Sequence, residues 1–435
     1  PPDSPASVSK WRRTLKDRYK IIDTEVLGEG ASATVYKGLD TEQCRNVAVK
    51  LYKSAPGDTS GLDAFIHSIQ VFEAIFKDKG KEKKARMTEC SVKTESSQRQ
   101  SFNVSDEAMV QAVTVLERDT GRAASKASQD SAVIITKNTK EFVEVLDVRD
   151  CFVQLLDWSK TEDGEPGLDA QDDCLFLIFE IGDESLADML SSKGEEGSTL
   201  STDELRKLHW TLVSIVWGLH ALGFVHLDIK PKNVIRFDGG SEPTWKLIDL
   251  DGAVPTGSVQ KLEGLTFTPE YMPPELAQAL LANIVNPGSP TSKKTPTLTV
   301  SRLMDVWSVG MCALEGVFLQ PVLRPFYENW LEESGSERKF FEWLGDIEGE
   351  AIVSGDMKDH VRGIDQDMAD LLEGMLTRNP STRLSIGECL EHKWFLKLRE
   401  KATDELRTEI VRRSQMPKED LSKLSGFKSS ACGVM

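Results

Sequence analysis

His226-Leu227-Asp228-Ile229-Lys230-Pro231-Lys232-Asn233, followed by Lys246-Leu247-Ile248-Asp249, is the stretch on which the reading of this chain turns. It sets a carboxylate, an ammonium and a carboxamide within one short loop. A second carboxylate then ends the next predicted strand. A nucleoside triphosphate with bound Mg²⁺ calls for that set: one group to orient a hydroxyl, one to offset the charge of a moving phosphoryl group, and oxygens to hold the metal.

The segments on either side suit the same chemistry. Upstream, Leu27-Gly28-Glu29-Gly30-Ala31-Ser32-Ala33-Thr34-Val35 lies between two predicted strands. Glycines let a backbone approach phosphate oxygens closely, and its free N–H groups then bind them. Taken alone, the segment also reads as a plain hairpin turn. Val47-Ala48-Val49-Lys50 places a lysine on an apolar strand, where its charge requires a partner. Phe176-Leu177-Ile178-Phe179-Glu180-Ile181-Gly182 reads as a buried strand that stops at a glycine. Downstream come Thr266-Phe267-Thr268-Pro269-Glu270-Tyr271-Met272-Pro273-Pro274-Glu275, Asp305-Val306-Trp307-Ser308-Val309-Gly310, Arg378-Asn379-Pro380-Ser381-Thr382-Arg383 and His392-Lys393-Trp394-Phe395.

In this order the motifs resemble those of the eukaryotic protein kinases of Ser/Thr type, over roughly residues 19 to 398. The resemblance implies an α+β bilobal fold, with a small β-rich N-lobe, a larger α-helical C-lobe, and ATP with Mg²⁺ between them. It implies that Asp228 orients the substrate hydroxyl, Lys230 offsets charge at the γ-phosphate, and Asn233 and Asp249 hold metal. Leu27, Gly28, Gly30 and Val35 would cover the phosphates, and Lys50 would hold them. Phe179 would back the adenine pocket, with the backbone of Glu180 and Gly182 bonding the base. A glutamate on the small lobe's helix would pair with Lys50. Glu141, leading a predicted helix over 141–148, is the first candidate, with Glu144 and Glu73 as alternatives. Thr268 would bond near Asp228, Glu275 would form a buried ion pair with Arg383, and Asp305 would brace the catalytic loop.

Two departures stand out. The family's His-Arg-Asp is His226-Leu227-Asp228, so the arginine that usually receives an activation-loop phosphate is missing. Activity is therefore expected not to require phosphorylation read through this position. Asp-Phe-Gly is Asp249-Leu250-Asp251, with Gly252 one place later. Ala33 also stands at the third glycine position. Leu227, Ala33 and Asp251 carry the competing reading, a pseudokinase acting as a nucleotide-binding or membrane-tethered scaffold.

Composition is consistent with a soluble globular chain: 435 residues, 39% hydrophobic and 28% charged. A net charge of −17 argues against a nucleic-acid partner, which needs clustered Lys and Arg; a protein substrate is what the resemblance implies. The seven scattered cysteines suggest reduced thiols and an intracellular, cytoplasmic setting. The expected organisation is a polar tail over 1–18, an N-lobe and hinge over 19–182 with an insertion at about 54–136, a C-lobe over 183–398 with a loop insertion at about 278–303, and a C-terminal helix and tail over 399–435. The chain ends Cys432-Gly433-Val434-Met435, which fits the Cys-a-a-X pattern for farnesyl transfer to Cys432 and so for membrane association. One prenyl chain binds weakly, so a second signal would be expected.

Overall fold

The computed structural model describes residues 11–30, 32–53, 60–76, 151–238, 243–263, 265–285 and 297–398. Its first part is a six-stranded antiparallel sheet. Strands β1 (Trp11–Leu15), β2 (Tyr19–Glu29), β3 (Ala33–Asp40) and β4 (Arg45–Tyr52) are consecutive, and β6 (Phe176–Glu180) separates β4 from β5 (Leu155–Trp158) at the edge. Register runs unbroken from Ala33↔Tyr52 to Asp40↔Arg45, and continues from Val47↔Glu180 to Leu51↔Phe176. It sets Lys50 opposite Val35 on one side and Leu177 on the other.

The polar tail expected over 1–18 is corrected for its described part: Trp11–Leu15 pairs with β2 as an edge strand. Arg13 and Lys16 look like tail composition, yet both are spent on partners, Arg13 on Asp172 O. Lys16 Nζ donates to Asp157 Oδ1 (3.1 Å) and to Trp158 O (2.7 Å), while Leu15 is fully buried beneath.

Helix α1 (Ser60–Phe76) follows β4 directly. Phe65, Ile69, Phe72 and Ile75 recur at helical spacing and are buried against the sheet. The Phe72 ring lies 5.3 Å from that of Phe179, and Phe65 meets Tyr52 edge-on at 5.6 Å. This overturns the reading of 54–136 as insertion throughout, because residues 60–76 are core of the small lobe. The predicted helix over 141–148 lies outside the described residues.

The second part is helical. After β7 (Glu184–Ser185) come α2 (Leu186–Glu195) and α3 (Thr202–Ala221). Ser185 and Ser201 each cap their helix in a reciprocal box, with Asp188 and Glu204 three residues on. Strands β8 (Phe224–Val225), β9 (Val234–Phe237), β10 (Thr244–Leu247) and β11 (Val254–Pro255) carry the loops of the site, and β12 (Val259–Lys261) pairs with β13 (Thr297–Thr299). Helices α4 (Pro274–Val285), α5 (Arg302–Phe318), α6 (Arg324–Ser334), α7 (Arg338–Leu344), α8 (Gly355–Ile364), α9 (Gln366–Met375) and α10 (Ile386–Glu391) complete the lobe. Helix α3 is buried on every side from Leu208 to His220, and α5 from Met304 to Val317, so the two form the centre of the C-lobe. The loop insertion expected at about 278–303 is narrower. Residues up to 285 continue α4, and residues from 297 pair as β13 and lead into α5.

Candidate active site

The loop between β8 and β9 is held from below by a single carboxylate. Asp305, fully buried near the start of α5, accepts from His226 N (2.8 Å), Leu227 N (2.9 Å) and His220 Nε2 (2.9 Å). Leu227 adopts φ 70°, a left-handed conformation that costs a branched residue energy unless its surroundings impose it. Asp305 imposes it. Burial keeps His220 neutral, lowering its pKa against the pull of Asp305, so backbone N–H groups rather than a cation balance this carboxylate. His226 ties the loop to the next strand, its Nε2 donating to Ile248 O at 3.0 Å.

The functional side chains stand on this frame. Asp228 Oδ2 accepts from Lys230 Nζ (2.6 Å) and Oδ1 from Thr268 Oγ1 (2.7 Å), while Lys230 Nζ also donates to Thr268 Oγ1 (2.8 Å). Asn233 spends its amide nitrogen on Asp228 O (2.9 Å), which leaves its oxygen for a ligand. Ile248 N donates to Asn233 O at 2.9 Å, so the β9–β10 hairpin brings Asn233 and the start of the Asp249 turn side by side. A carboxylate and an amide oxygen beside the paired ends of β9 and β10 are the hard oxygen donors that Mg²⁺ prefers, so the residues present fit the metal.

Across the cleft, Lys50 Nζ donates to Asp249 Oδ1 (3.1 Å) and to Asp251 Oδ2 (2.7 Å). Burial works against the charge on Lys50, but Asp251 and Asp249 more than offset it and hold its pKa above the ordinary lysine value. Burial also opposes the charge on Asp249, and Lys50 outweighs it, keeping that carboxyl below the usual range. Asp251 moves the other way, raised by burial and by the Asp249 charge beside it despite Lys50. Asp249 sits at φ 61°, a conformation Asp tolerates, so the displaced Gly252 does not supply the positive φ of this turn.

Gly28 and Gly30 lie where β2 turns into β3. A Cβ at Gly28 would meet nothing within 4 Å, so that face is open to approach. Gly28 pairs with Val35, and Lys53 Nζ steadies the turn by donating to Gly30 O (2.9 Å) and Glu29 Oε1 (3.1 Å). Leu27 is half-exposed, and Ala33 is buried opposite Tyr52. At the hinge, a Cβ on Gly182 would lie 2.6 Å from Arg236 O, so only glycine lets the chain pass this close to β9. Glu180 N donates to Gln154 O (3.1 Å), so any base contact from this residue falls to its carbonyl. Its side chain is held by Lys246 Nζ at 2.6 Å.

Farther along, Arg383 and Glu275 form a bidentate pair at 2.8 and 2.9 Å, with the guanidinium fully buried. Of the three candidates for the Lys50 partner, Glu73 is corrected: it is exposed on α1 and does not reach the lysine. Glu141, Glu144 and Cys432 lie outside the described residues. Sequence reasoning missed Asp251 as a partner of Lys50, Lys246 as the anchor of Glu180, and His67, whose Nε2 donates to Ala253 O at 2.9 Å. An acid at a position normally held by glycine was the available signal for Asp251. A helix starting within about ten residues of Lys50 was the signal for α1.

Residues 151–395 match the protein kinase domain family. The chain is 25% identical to a probable serine/threonine-protein kinase, fhkA, of Dictyostelium discoideum over 243 residues, covering 52% of this chain and 38% of that protein. It is 28% identical to calcium-dependent protein kinase 24 of Oryza sativa subsp. japonica over 232 residues, again 52% of this chain and 38% of that one. It is 29% identical to serine/threonine-protein kinase SAPK3 of Oryza sativa subsp. indica over 197 residues, 45% of this chain and 50% of that one. The chain thus spans no more than half the length of these relatives. β1 to β4 and α1 precede the matched residues, and there the small lobe rests on the geometry above. With more than half its residues matched and the site's side chains converging from both lobes, the chain belongs to the protein kinase domain family.

Proposed function

We propose that this chain transfers the γ-phosphoryl group of ATP to Ser or Thr hydroxyls of protein substrates. The observation that carries this reading is the Asp228–Lys230–Thr268 triangle, with all three contacts between 2.6 and 2.8 Å, facing a cleft whose other wall presents Lys50 to Asp249. Asp228 orients the acceptor hydroxyl and takes its proton as the hydroxyl oxygen bonds phosphorus and the bond to the ADP oxygen breaks. Lys230 offers its ammonium to the charge that develops on the transferred oxygens. Thr268 holds the carboxylate in that orientation. Lys50 aligns the nucleotide phosphates, and Asn233 and Asp249 would hold Mg²⁺. The metal, when bound, supplies charge neutralisation between the phosphates.

The test is ³²P transfer from ATP to a generic basic protein, wild type against Asp228→Asn. We expect the variant to lose on the order of 10²–10⁴-fold in rate, the range for a positioned general base. Equal incorporation by both would overturn the assignment.

An intracellular setting is part of the same proposal, supported by cysteines 44, 174, 312 and 389, which form no disulfide among the described residues. Farnesylation of Cys432 is proposed on its sequence context alone, and intact mass from a eukaryotic host tests it.

A further inference from the structure

We propose that Asp251 is the positioning residue for Lys50, in the place that a helix glutamate would hold by the family resemblance. This deepens the phosphoryl-transfer reading and rests on it for its functional consequence.

Helix α1 offers Lys50 no carboxylate among its described side chains. The helix packs behind the site, as Phe72 against Phe179 shows, but its two carboxylates, Asp63 and Glu73, both face away and are exposed. Its inward polar position is Ser68, fully buried and engaged with Tyr52 at 2.8 Å. Among the described residues, the carboxylates that reach Lys50 are Asp249 and Asp251. Asp251 is the nearer, 2.7 against 3.1 Å, and the less exposed, with 15% of its side chain accessible against 42% for Asp249.

The two acids have separable tasks. Asp249 faces the cleft, where its oxygens are wanted by Mg²⁺. Once they are so engaged, a buried ammonium still needs a counter-ion, because an unpaired buried charge is costly. Asp251 supplies it from behind. The short turn Leu250–Gly252 that presents Asp251 is itself fixed: Leu250 is fully buried, and His67 of α1 bonds Ala253 O at 2.9 Å. Lys50 is therefore set by the start of the activation segment, and α1 is tied to that same segment through an imidazole rather than through an ion pair with the lysine.

The variants Asp251→Asn and Asp251→Gly, in the full chain, separate this role from its alternatives. The first is isosteric and should fold. The second restores the family's glycine, so if Asp251 merely fills that position the variant should bind at least as well as wild type. Without nucleotide, a double-mutant cycle of Lys50→Met with Asp251→Asn, read by urea unfolding, should show coupling of about tenfold in the unfolding constant. The matching cycle with Glu141→Gln should show less than about twofold. Calorimetric affinity for a non-hydrolysable ATP analogue with Mg²⁺ should fall about tenfold or more in both Asp251 variants, and excess Mg²⁺ should not restore it. Coupling found with Glu141 in place of Asp251, an Asp251→Gly variant that binds like wild type, or recovery by Mg²⁺ would each overturn the proposal. If the wild-type chain bound no analogue at all, the kinase reading would fail, and the unfolding cycle would still decide whether the ion pair exists.

Discussion

Replacing Asp305 by alanine should release the catalytic loop and cost the protein a large part of its stability. Its carboxylate accepts three hydrogen bonds at 2.8 to 2.9 Å in a fully buried setting, and two of the donors are backbone N–H groups. Each buried donor left unsatisfied costs about 1–3 kcal/mol, so removal of the side chain, which strands three, should cost roughly 3–9 kcal/mol. Asp305→Asn keeps the shape and one acceptor oxygen, but turns an amide N–H towards a backbone donor; we expect roughly half that loss. The same bonds hold Leu227 at φ 70°, a conformation worth about 1–3 kcal/mol of strain once unsupported. Relaxation of Leu227 would move Asp228, the next residue, and misplacement of a reacting group by about 1 Å can cost about 10²-fold in rate. The assay pairs the urea midpoint with phosphoryl transfer for wild type and both variants. An alanine variant with unchanged midpoint and activity would show that Asp305 does not brace the loop.

Glu275→Ala should destabilise by about 3–5 kcal/mol in denaturant, since it strands the buried Arg383 guanidinium with only carbonyl partners. Glu315, buried in α5 and accepting from Tyr271 at 2.6 Å, has its pKa pushed up to about 7 by burial, against an ordinary value of 4.5. A raised carboxylate favours the fold when protonated, so its contribution is complete below about pH 4.5 and is lost as pH rises through about 7. Glu315→Gln should therefore match wild type near about pH 4.5 and exceed it by roughly 3 kcal/mol above about pH 8, read from melting curves across that range. Treatment with a phosphatase should leave most of the transfer activity intact; near-complete loss would contradict the reading of Leu227.

The catalytic loop was legible from the spacing of its groups and the strand of Lys50 from a charge among apolar residues, whereas the hinge and the Glu275–Arg383 pair, 108 positions apart, were legible only through the family resemblance of their motifs. The helical character of the C-lobe was legible as what the resemblance implies, and its central helices α3 and α5 are buried around most of their circumference. Three features were not. Residues 60–76 fell within the expected insertion because helical spacing says only that one face is buried, and the sheet they cover is assembled from strands more than a hundred residues apart. β1 looked like a tail because an edge strand whose Lys16 is spent on distant Asp157 has the composition of a solvated segment. Asp251 looked like a lost glycine because its meaning lies in an ion pair spanning 201 positions of chain.

That last pair changes how the missing arginine at Leu227 should be understood. In a kinase whose loop is ordered by phosphate, the segment after the metal-binding aspartate waits for a charge to fasten it. Here the segment is fastened at successive points by groups already in place. Lys50 holds Asp249 and Asp251, His67 holds Ala253, β12 pairs with β13, and Asp228 with Lys230 holds Thr268. Beyond them Ser308 bonds Tyr271 O at 2.8 Å, Glu315 accepts from the Tyr271 hydroxyl, and Arg383 clamps Glu275. Leu227 contributes packing where an arginine would await a phosphate, being 5% exposed within the same core as Ile229 and Leu250. A side chain buried among apolar neighbours has no charge to satisfy, so the loop gains nothing from a phosphate at that position. Order in this segment is thus a property of the folded chain, held by these contacts without an arginine at position 227.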